Sequence, residues 1–474
     1  MLPACPMPRN VPGPQRVRWQ WRIALPDTSS EIEHRDRPTI VRYGVLVLAV
    51  TMAVILYLDR MSISVAMPAI SKDLDIPIEN VADSVAAFFW CYALFQVPAG
   101  WLGDRWGGRR ALSLYVVAWS LAIAGMGFVG GLASLLVLRA LLGIGQAGAY
   151  ATTASFLRRW VPFTSRGFAN SAVSLGGRAG GVLAPSLTAL LMSLVAAGGW
   201  YVDTWRPVFV AYAFIGLAWA IVFWRAFRDR PSEHPRTNDA EVALIAGPGG
   251  ATDDAPASQH ALSARALVRS RSLWFLMLIN YTINVGWILV GTLLPTYLIK
   301  VHGRSELEAG FATSLVAAAG MSGCLAGGFA TDALVRRLGL VWGRRAPCMI
   351  AYGGAAIAYA LCFLLDDPRA IVAMLVVASF LGDFGLGSVW CTYQDIGNAY
   401  AGTVLGVGNM CGNIGAAMAT SFVPRLAERF GWSASFALSA AAYGVAAIAW
   451  MGVDARRSIV PRASSSAPAS DDLV

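Results

Sequence analysis

Apolar runs long enough to cross a bilayer, about 20 residues each, recur along the chain at 42–69, 82–102, 111–130, 132–157, 168–196 and 206–226. After a polar stretch they resume at 273–298, 309–331, 347–365, 370–395, 401–424 and 433–453. The pattern predicts an all-α membrane protein: twelve transmembrane helices in two pseudo-symmetric six-helix bundles, 41–228 and 272–455. Residues 229–271 read as a linker rich in Pro, Gly and both charge signs, with a short amphipathic helix around Ala240–Ile245. The polar tails, 1–40 and 456–474, read as disordered. A long Arg- and Pro-containing stretch precedes the first apolar run, so that run reads as an uncleaved anchor.

Composition agrees. Of 474 residues, 56% are hydrophobic and 14% charged, against roughly 25% charged in soluble chains. The net charge of +9 could point to nucleic acid, but the arginines fall between apolar runs and form no single patch. Arg105, Arg109, Arg110, Arg158, Arg159, Arg166, Arg336, Arg337, Arg344 and Arg345 all fall on one side of a twelve-helix thread, with the linker and both tails. The opposite loops include the acidic "KDLDIPIEN" and "DDPR". The positive-inside rule makes that arginine-rich side, and both termini, cytoplasmic, as expected for a cell (inner) membrane protein. The cysteines form no CxxC pair, which leaves no metal or redox framework and no cofactor.

An internal repeat supports the division into two halves. "GWLGDRWGGRRA" (100–111) follows the second run, and "GGFATDALVRRLGLVWGRRA" (327–346) follows the eighth. Both read Gly, Asp, Arg, Gly, Arg-Arg at the same place in each half. Duplicated halves are characteristic of secondary transporters.

At Gly100, Asp104, Arg105, Gly107 or Gly108, Arg109 and Arg110 the chain resembles the major facilitator superfamily, whose second-helix loop reads G-x-x-x-D-R-x-G-R-R/K. The resemblance implies a cytoplasmic gate: Asp104 capping a neighbouring helix end, and the arginines pairing across the bundles. Asp332, Arg336 and Arg337 are its repeat in the second half. Within the superfamily, 57–74, 141–181, 205–241 and 393–416 resemble the anion:cation symporter branch, which includes sugar-acid, hexuronate and phthalate transporters.

Charges inside the runs carry the candidate chemistry, because an ionisable group in hydrocarbon is costly. Asp59 and Arg60 are adjacent in "VLAVTMAVILYLDRMSISVAMPAI" (47–70). Adjacent helix residues point about 100° apart, so each needs its own partner. One reading is a structural ion network with Arg139. The other makes Asp59 a proton site and Arg60 a cradle for a substrate carboxylate, and the resemblance favours it. It also places Arg139 in the coupling network, and Tyr57 and Tyr92 against a sugar-acid hydroxyl or carboxylate. Many relatives carry glutamate at the position of Gln146, and an amide cannot titrate. Asp59 and Asp383 are then the mid-run carboxylates, with Asp383 either replacing that glutamate or hydrogen-bonded locally beside Gly382 and Gly385. Arg178 could contact substrate through its bidentate fork, pair with an unidentified acid, or contact backbone carbonyls. Tyr281, Asn284, Trp390, Asn409 and Asn413 complete a candidate pocket. Asn409 and Asn413, four residues apart, share a helical face, which also suits interhelical hydrogen bonding.

Three mid-run arginines against two aspartates leave a pocket that an anion would complete. The expected function is secondary active transport of a small organic anion, a sugar acid or similar carboxylate, by alternating access between the bundles, with protons (or sodium) as coupling ion and the monomer as unit. An exchanger, an uncoupled facilitator or a transporter-like sensor would share the pattern. "GIGQAG" (143–148) matches G-x-G-x-x-G but lies inside an apolar run, so it is no dinucleotide site. No GxxxxGK[ST] and no HExxH occur, and drug efflux would favour an acidic cavity.

Overall fold

The computed structural model describes residues 37–199, 204–247 and 262–459. Among them, twelve long helical rods span the molecule, and the fold is the twelve-helix architecture expected. The first half holds α1 (Val41–Asp73), α2 (Ile78–Trp106), α3 (Gly108–Met126), α4 (Leu132–Ala147, then Ala149–Trp160), α5 (Arg166–Ala197) and α6 (Trp205–Ala226). The second holds α7 (Arg271–Ile288, continuing to His302), α8 and α9, α10 (Pro368–Phe384, then Leu386–Gly397), α11 (Ala401–Phe430) and α12 (Trp432–Ala449). α8 and α9 are the two arms of Glu306–Cys362, which bends at Gly339.

That bend corrects an expected loop. Residues 332–346 are helical up to and beyond Gly339 and form no long connection. The stretch has no proline before Pro347, and one glycine at φ 74°, ψ 176° makes the whole turn. Gly107, between α2 and α3, has nearly the same backbone, φ 82° and ψ 160°. Only glycine adopts such angles without strain. The repeat seen in the letters is therefore a repeat of backbone geometry.

Among the described residues, apolar side chains bury in a small cluster of Ile288, Ala419 and Val423 and in two large ones. One draws on α1 to α6 and includes Leu56, Phe88, Trp119 and Phe223. The other draws on α7 to α12, with Ala154 of α4 as its one buried member from the first half. Large residues such as Leu121, Phe214, Ile350 and Ile448 remain exposed on the outside, as a lipid-facing surface requires.

The linker forms the expected short helix at Asp239–Ala246. Its Glu241 is fully buried and accepts hydrogen bonds from the backbone N–H groups of Val41 (3.3 Å) and Arg42 (3.0 Å), from Arg42 Nη1 (3.1 Å) and from the Thr39 hydroxyl. The first N–H groups of a helix lack internal partners, and here a linker carboxylate caps α1. The tails read as disordered lie almost wholly outside the described residues, as does 248–261 of the linker.

Candidate functional site

The two halves meet along α2–α11 and α5–α8, with α4 and α10 contributing. Gly100 of α2 lies so close to α11 that a Cβ there would sit 2.5 Å from the Gly402 carbonyl oxygen. At this crossing the Asp104 carboxylate accepts from Gly402 N (3.0 Å), Thr403 N (2.7 Å) and Thr403 Oγ1 (2.7 Å), capping the start of α11. In the other half Asp332 accepts from Gly167 N (2.8 Å) and Phe168 N (2.9 Å), capping the start of α5. Each half thus caps a helix of the other.

The motif arginines behave differently from expectation. Arg109 stays within its own half, donating through Nε to the Trp224 carbonyl (2.9 Å) with its backbone N–H on Asp229 (3.0 Å). Arg105 is exposed over the Trp101 ring, and Arg110 is exposed on the outer face of α3. Of the five motif arginines, only Arg336 is seen to reach across, donating to the Thr164 carbonyl (3.1 Å); Arg337 is exposed. The helix N-termini offer N–H donors, which suit a carboxylate and not a cation.

Further inward, Asn170 and Gln394 exchange amide hydrogen bonds at 3.1 Å in both directions, and Gln394 also donates to the Ala154 carbonyl (2.9 Å). Nothing in the sequence singled out this pair, because a mid-helix amide fits many environments. Among the described residues, the side-chain hydrogen bonds between halves run from this region outward to the linker side. The innermost is Arg178 Nη2 to Asp383 Oδ1, an ion pair of 2.6 Å between α5 and α10. The molecule is closed on the linker side.

Arg60 is buried in a cage of three rings: Tyr57, Phe88 and Tyr92, at 4.9, 5.0 and 4.3 Å. Its Nε and Nη2 both donate to Gln146 Oε1 at 3.4 Å, and Gln146 in turn donates to the Leu56 carbonyl (3.2 Å). No carboxylate of the described residues pairs with it. Arg139 approaches Phe88 at 4.8 Å and donates through Nε to the Ser84 carbonyl (3.4 Å), while both terminal nitrogens lack partners. The two guanidinium groups share Phe88 and no counter-ion.

Asp59 is buried too, but it pairs with neither Arg60 nor Arg139. Both oxygens lack a hydrogen-bond partner, and the Trp119 indole, itself unpartnered, lies near them within the first half. The structural ion network is not formed.

Tyr150 and Trp390 pack edge to face across the halves, centroids 5.1 Å apart. The Tyr150 hydroxyl and the Tyr57 ring lie against Gly177, beside Arg178, where any Cβ would collide with both. Phe88 and Tyr150 were missed from sequence. Each lies four residues from a residue of the site, Tyr92 and Gln146, and that helical spacing was the available signal. Asn284, Asn409 and Asn413 are half-buried, but the Asn284 and Asn413 amides donate to the carbonyls of Asn280 (2.7 Å) and Asn409 (2.8 Å) in their own helices. Asn280, not among the expected residues, makes an α7–α11 bond, to Gly408 O (2.9 Å). The Tyr281 hydroxyl faces Met418 sulfur at 3.6 Å. The asparagine amides are therefore largely engaged within the second half, whereas Arg60 has an amide and rings around it and no carboxylate partner among the described residues.

Duplicated aspartate caps over two six-helix halves meet a sequence match over residues 49–420 to the Major Facilitator Superfamily. The chain belongs to that family. This facilitator is 30% identical over 413 residues to the probable sulfoacetate transporter SauU of Cupriavidus necator, covering 86% of this chain and 93% of the relative. It is 28% identical over 428 residues to the D-galactonate transporter of Escherichia coli O6:H1, covering 88% and 96%. Its fold matches the proton:xylose symporter XylE bound to 6-bromo-6-deoxy-D-glucose, with a TM-score of 0.66 at 17% identity, covering 86% and 94%. The facilitator is thus a multi-pass membrane transporter of a family whose members here are not enzymes, and its curated relatives are named for organic anions.

Proposed function

We propose that this facilitator moves a small organic anion, a sugar acid or similar carboxylate, by alternating access between the bundles 41–228 and 272–455. The reading includes proton coupling, a monomeric unit, and a cell (inner) membrane setting with linker and termini cytoplasmic. One observation carries it: the buried Arg60 guanidinium sits in an aromatic cage without a carboxylate partner. A buried cation needs a counter-charge, and a substrate carboxylate or sulfonate supplies one. The names of the relatives support the same chemistry. Among the buried carboxylates, Asp59 and Asp383 lie in the middle of the membrane-length helices and are the ones we assign to protons. A second reading, exchange or facilitation of the same anions without protons, is favoured by one observation: the partner of Arg60 is an amide, Gln146.

The test is binding and uptake of D-galactonate, D-glucarate and sulfoacetate by the full chain in proteoliposomes, wild type against Arg60→Gln. Truncating one partner of a buried charge pair costs about 2–5 kcal/mol, so affinity should fall about 30-fold or more. A variant that binds these anions like the wild type, or a wild type that prefers a neutral sugar, would overturn the reading.

A further inference from the structure

The Arg178–Asp383 pair links the two halves in the middle of the helices, and its members differ in access. The Arg178 side chain is 26% exposed and that of Asp383 only 5%. Asp383 Oδ2 has no hydrogen-bond partner and lies over Gly320, where a Cβ would collide with it. The titratable and charged groups facing Asp383 are Arg178 from α5, Cys324 from α8, Tyr352 and Tyr359 from α9 and Tyr443 from α12. Arg178 is thus the one cation among them. Arg178 also lies near Tyr57 and Tyr150, which pack on the neighbouring Gly177, and Tyr57 belongs to the Arg60 cage. An anion held at Arg60 therefore has a second guanidinium beyond Tyr57, but that guanidinium is already taken.

We propose that Arg178 is passed from Asp383 to the substrate anion, and that one proton taken up by the Asp383 carboxylate makes the exchange possible. This rests on the anion reading above and adds its coupling step. Before the exchange, Arg178⁺ and Asp383⁻ neutralise each other. Afterwards Arg178⁺ is neutralised by the anion, and Asp383 is a neutral carboxylic acid. The added anion and the added proton balance. Both half-loaded states fail this balance. Substrate without the proton strands a buried carboxylate, and the proton without substrate strands a guanidinium; an unpaired buried charge is strongly unfavourable. Within the Arg178–Asp383 pair, only the empty and the doubly loaded carrier leave no stranded charge, which is the requirement for coupled transport. The exchange also cuts an ion pair between the halves, so loading loosens their contact. Gln146 fits this scheme, since the titrating acid then lies on α10 of the second half and not on α4.

The experiment uses the full chain with D-galactonate as probe and sulfoacetate as second probe, in weak buffer. Wild type should take up about one proton per D-galactonate bound, and affinity should tighten by up to about tenfold per pH unit as pH falls while Asp383 is ionised. Asp383→Asn should bind with no proton uptake and a flat pH profile, exchange probe across the membrane, and fail to accumulate it under a pH gradient. Asp383→Glu should restore proton uptake, which distinguishes loss of the acid from misfolding. Proton uptake or pH-driven accumulation persisting in Asp383→Asn overturns the proposal, as does a wild type that binds probe without protons or accumulates it on a sodium gradient alone. Arg60-dependent binding without proton uptake defeats only this inference. Failure of the wild type to bind any of the anions defeats the anion reading and this step with it.

Discussion

Removing the Asp104 carboxylate should open the linker side of the molecule, and the structure sets the scale. In Asp104→Ala three hydrogen bonds disappear, two of them from the first N–H groups of α11. The crossing is tight, with Gly100 against Gly402 and Asp104 only 4% exposed, so water does not readily replace the carboxylate in the closed form. In the open form those N–H groups meet solvent. The loss therefore falls on the closed state alone. At about 0.5–1.5 kcal/mol net per bond, three bonds amount to about 2–4 kcal/mol, a shift of roughly 30- to 1,000-fold toward the open form. Asp332→Ala removes two bonds and should shift the balance less, by about 1–3 kcal/mol. Spin-label distances across the linker-side ends of α2 and α11, measured in both variants, read the populations directly. An unchanged distance distribution in Asp104→Ala, or a larger shift in Asp332→Ala, would refute the reasoning.

Other outcomes follow from single contacts. Gln146→Glu places a carboxylate against Arg60, where it should compete with substrate until protonated; uptake of a monovalent anion should then gain voltage dependence, worth about 2.3 kcal/mol per 100 mV for each charge moved. Reversal potentials check this, and wild-type uptake should be nearly insensitive to voltage at fixed pH gradient. Glu241→Ala should uncap α1 and lower the thermal stability of the detergent-solubilised protein by about 1–3 kcal/mol, read as a melting shift. Glu241→Gln should recover part of it, because the amide oxygen still accepts.

Much of this was legible from the chain. The period and length of the apolar runs gave the rods, and the repeated Gly-Asp-Arg-Gly-Arg-Arg letters marked two equivalent turns, found as Gly107 and Gly339. Asp104 could be placed as a cap through the resemblance of its loop motif, and Asp332 as its repeat. The arginines could not be placed, since a long exposed cation finds carbonyls and rings as readily as acids. Arg109 on Trp224 and Arg105 on Trp101 show it. Nor could the sequence decide what Asp59 and Arg60 face. Adjacency fixes the angle between them but not the helix rotation, and packing turned Arg60 to the rings of α2 and Asp59 toward Trp119. The Arg178–Asp383 pairing spans 205 residues of sequence, and only the meeting of α5 with α10 reveals it.

The placement of that pair has a consequence for alternation. A carrier must cycle between two conformations whose free energies differ little, because a gap of a few kcal/mol already empties one of them. Here the aspartate caps, the Asn170–Gln394 amide pair and the Arg336 contact all favour closure on the linker side. Under the proposed alternating access, contacts made on the opposite side must offset them. A bond at the edge of the closed region breaks on every swing, so it cannot report loading. A bond where the closed region ends moves least as the halves tilt, and it can survive in both empty conformations. Arg178 and Asp383 stand at that boundary. Under the proposed exchange, an ion pair there does not choose between the two faces but distinguishes loaded from empty, which is what coupling requires and what the caps cannot supply.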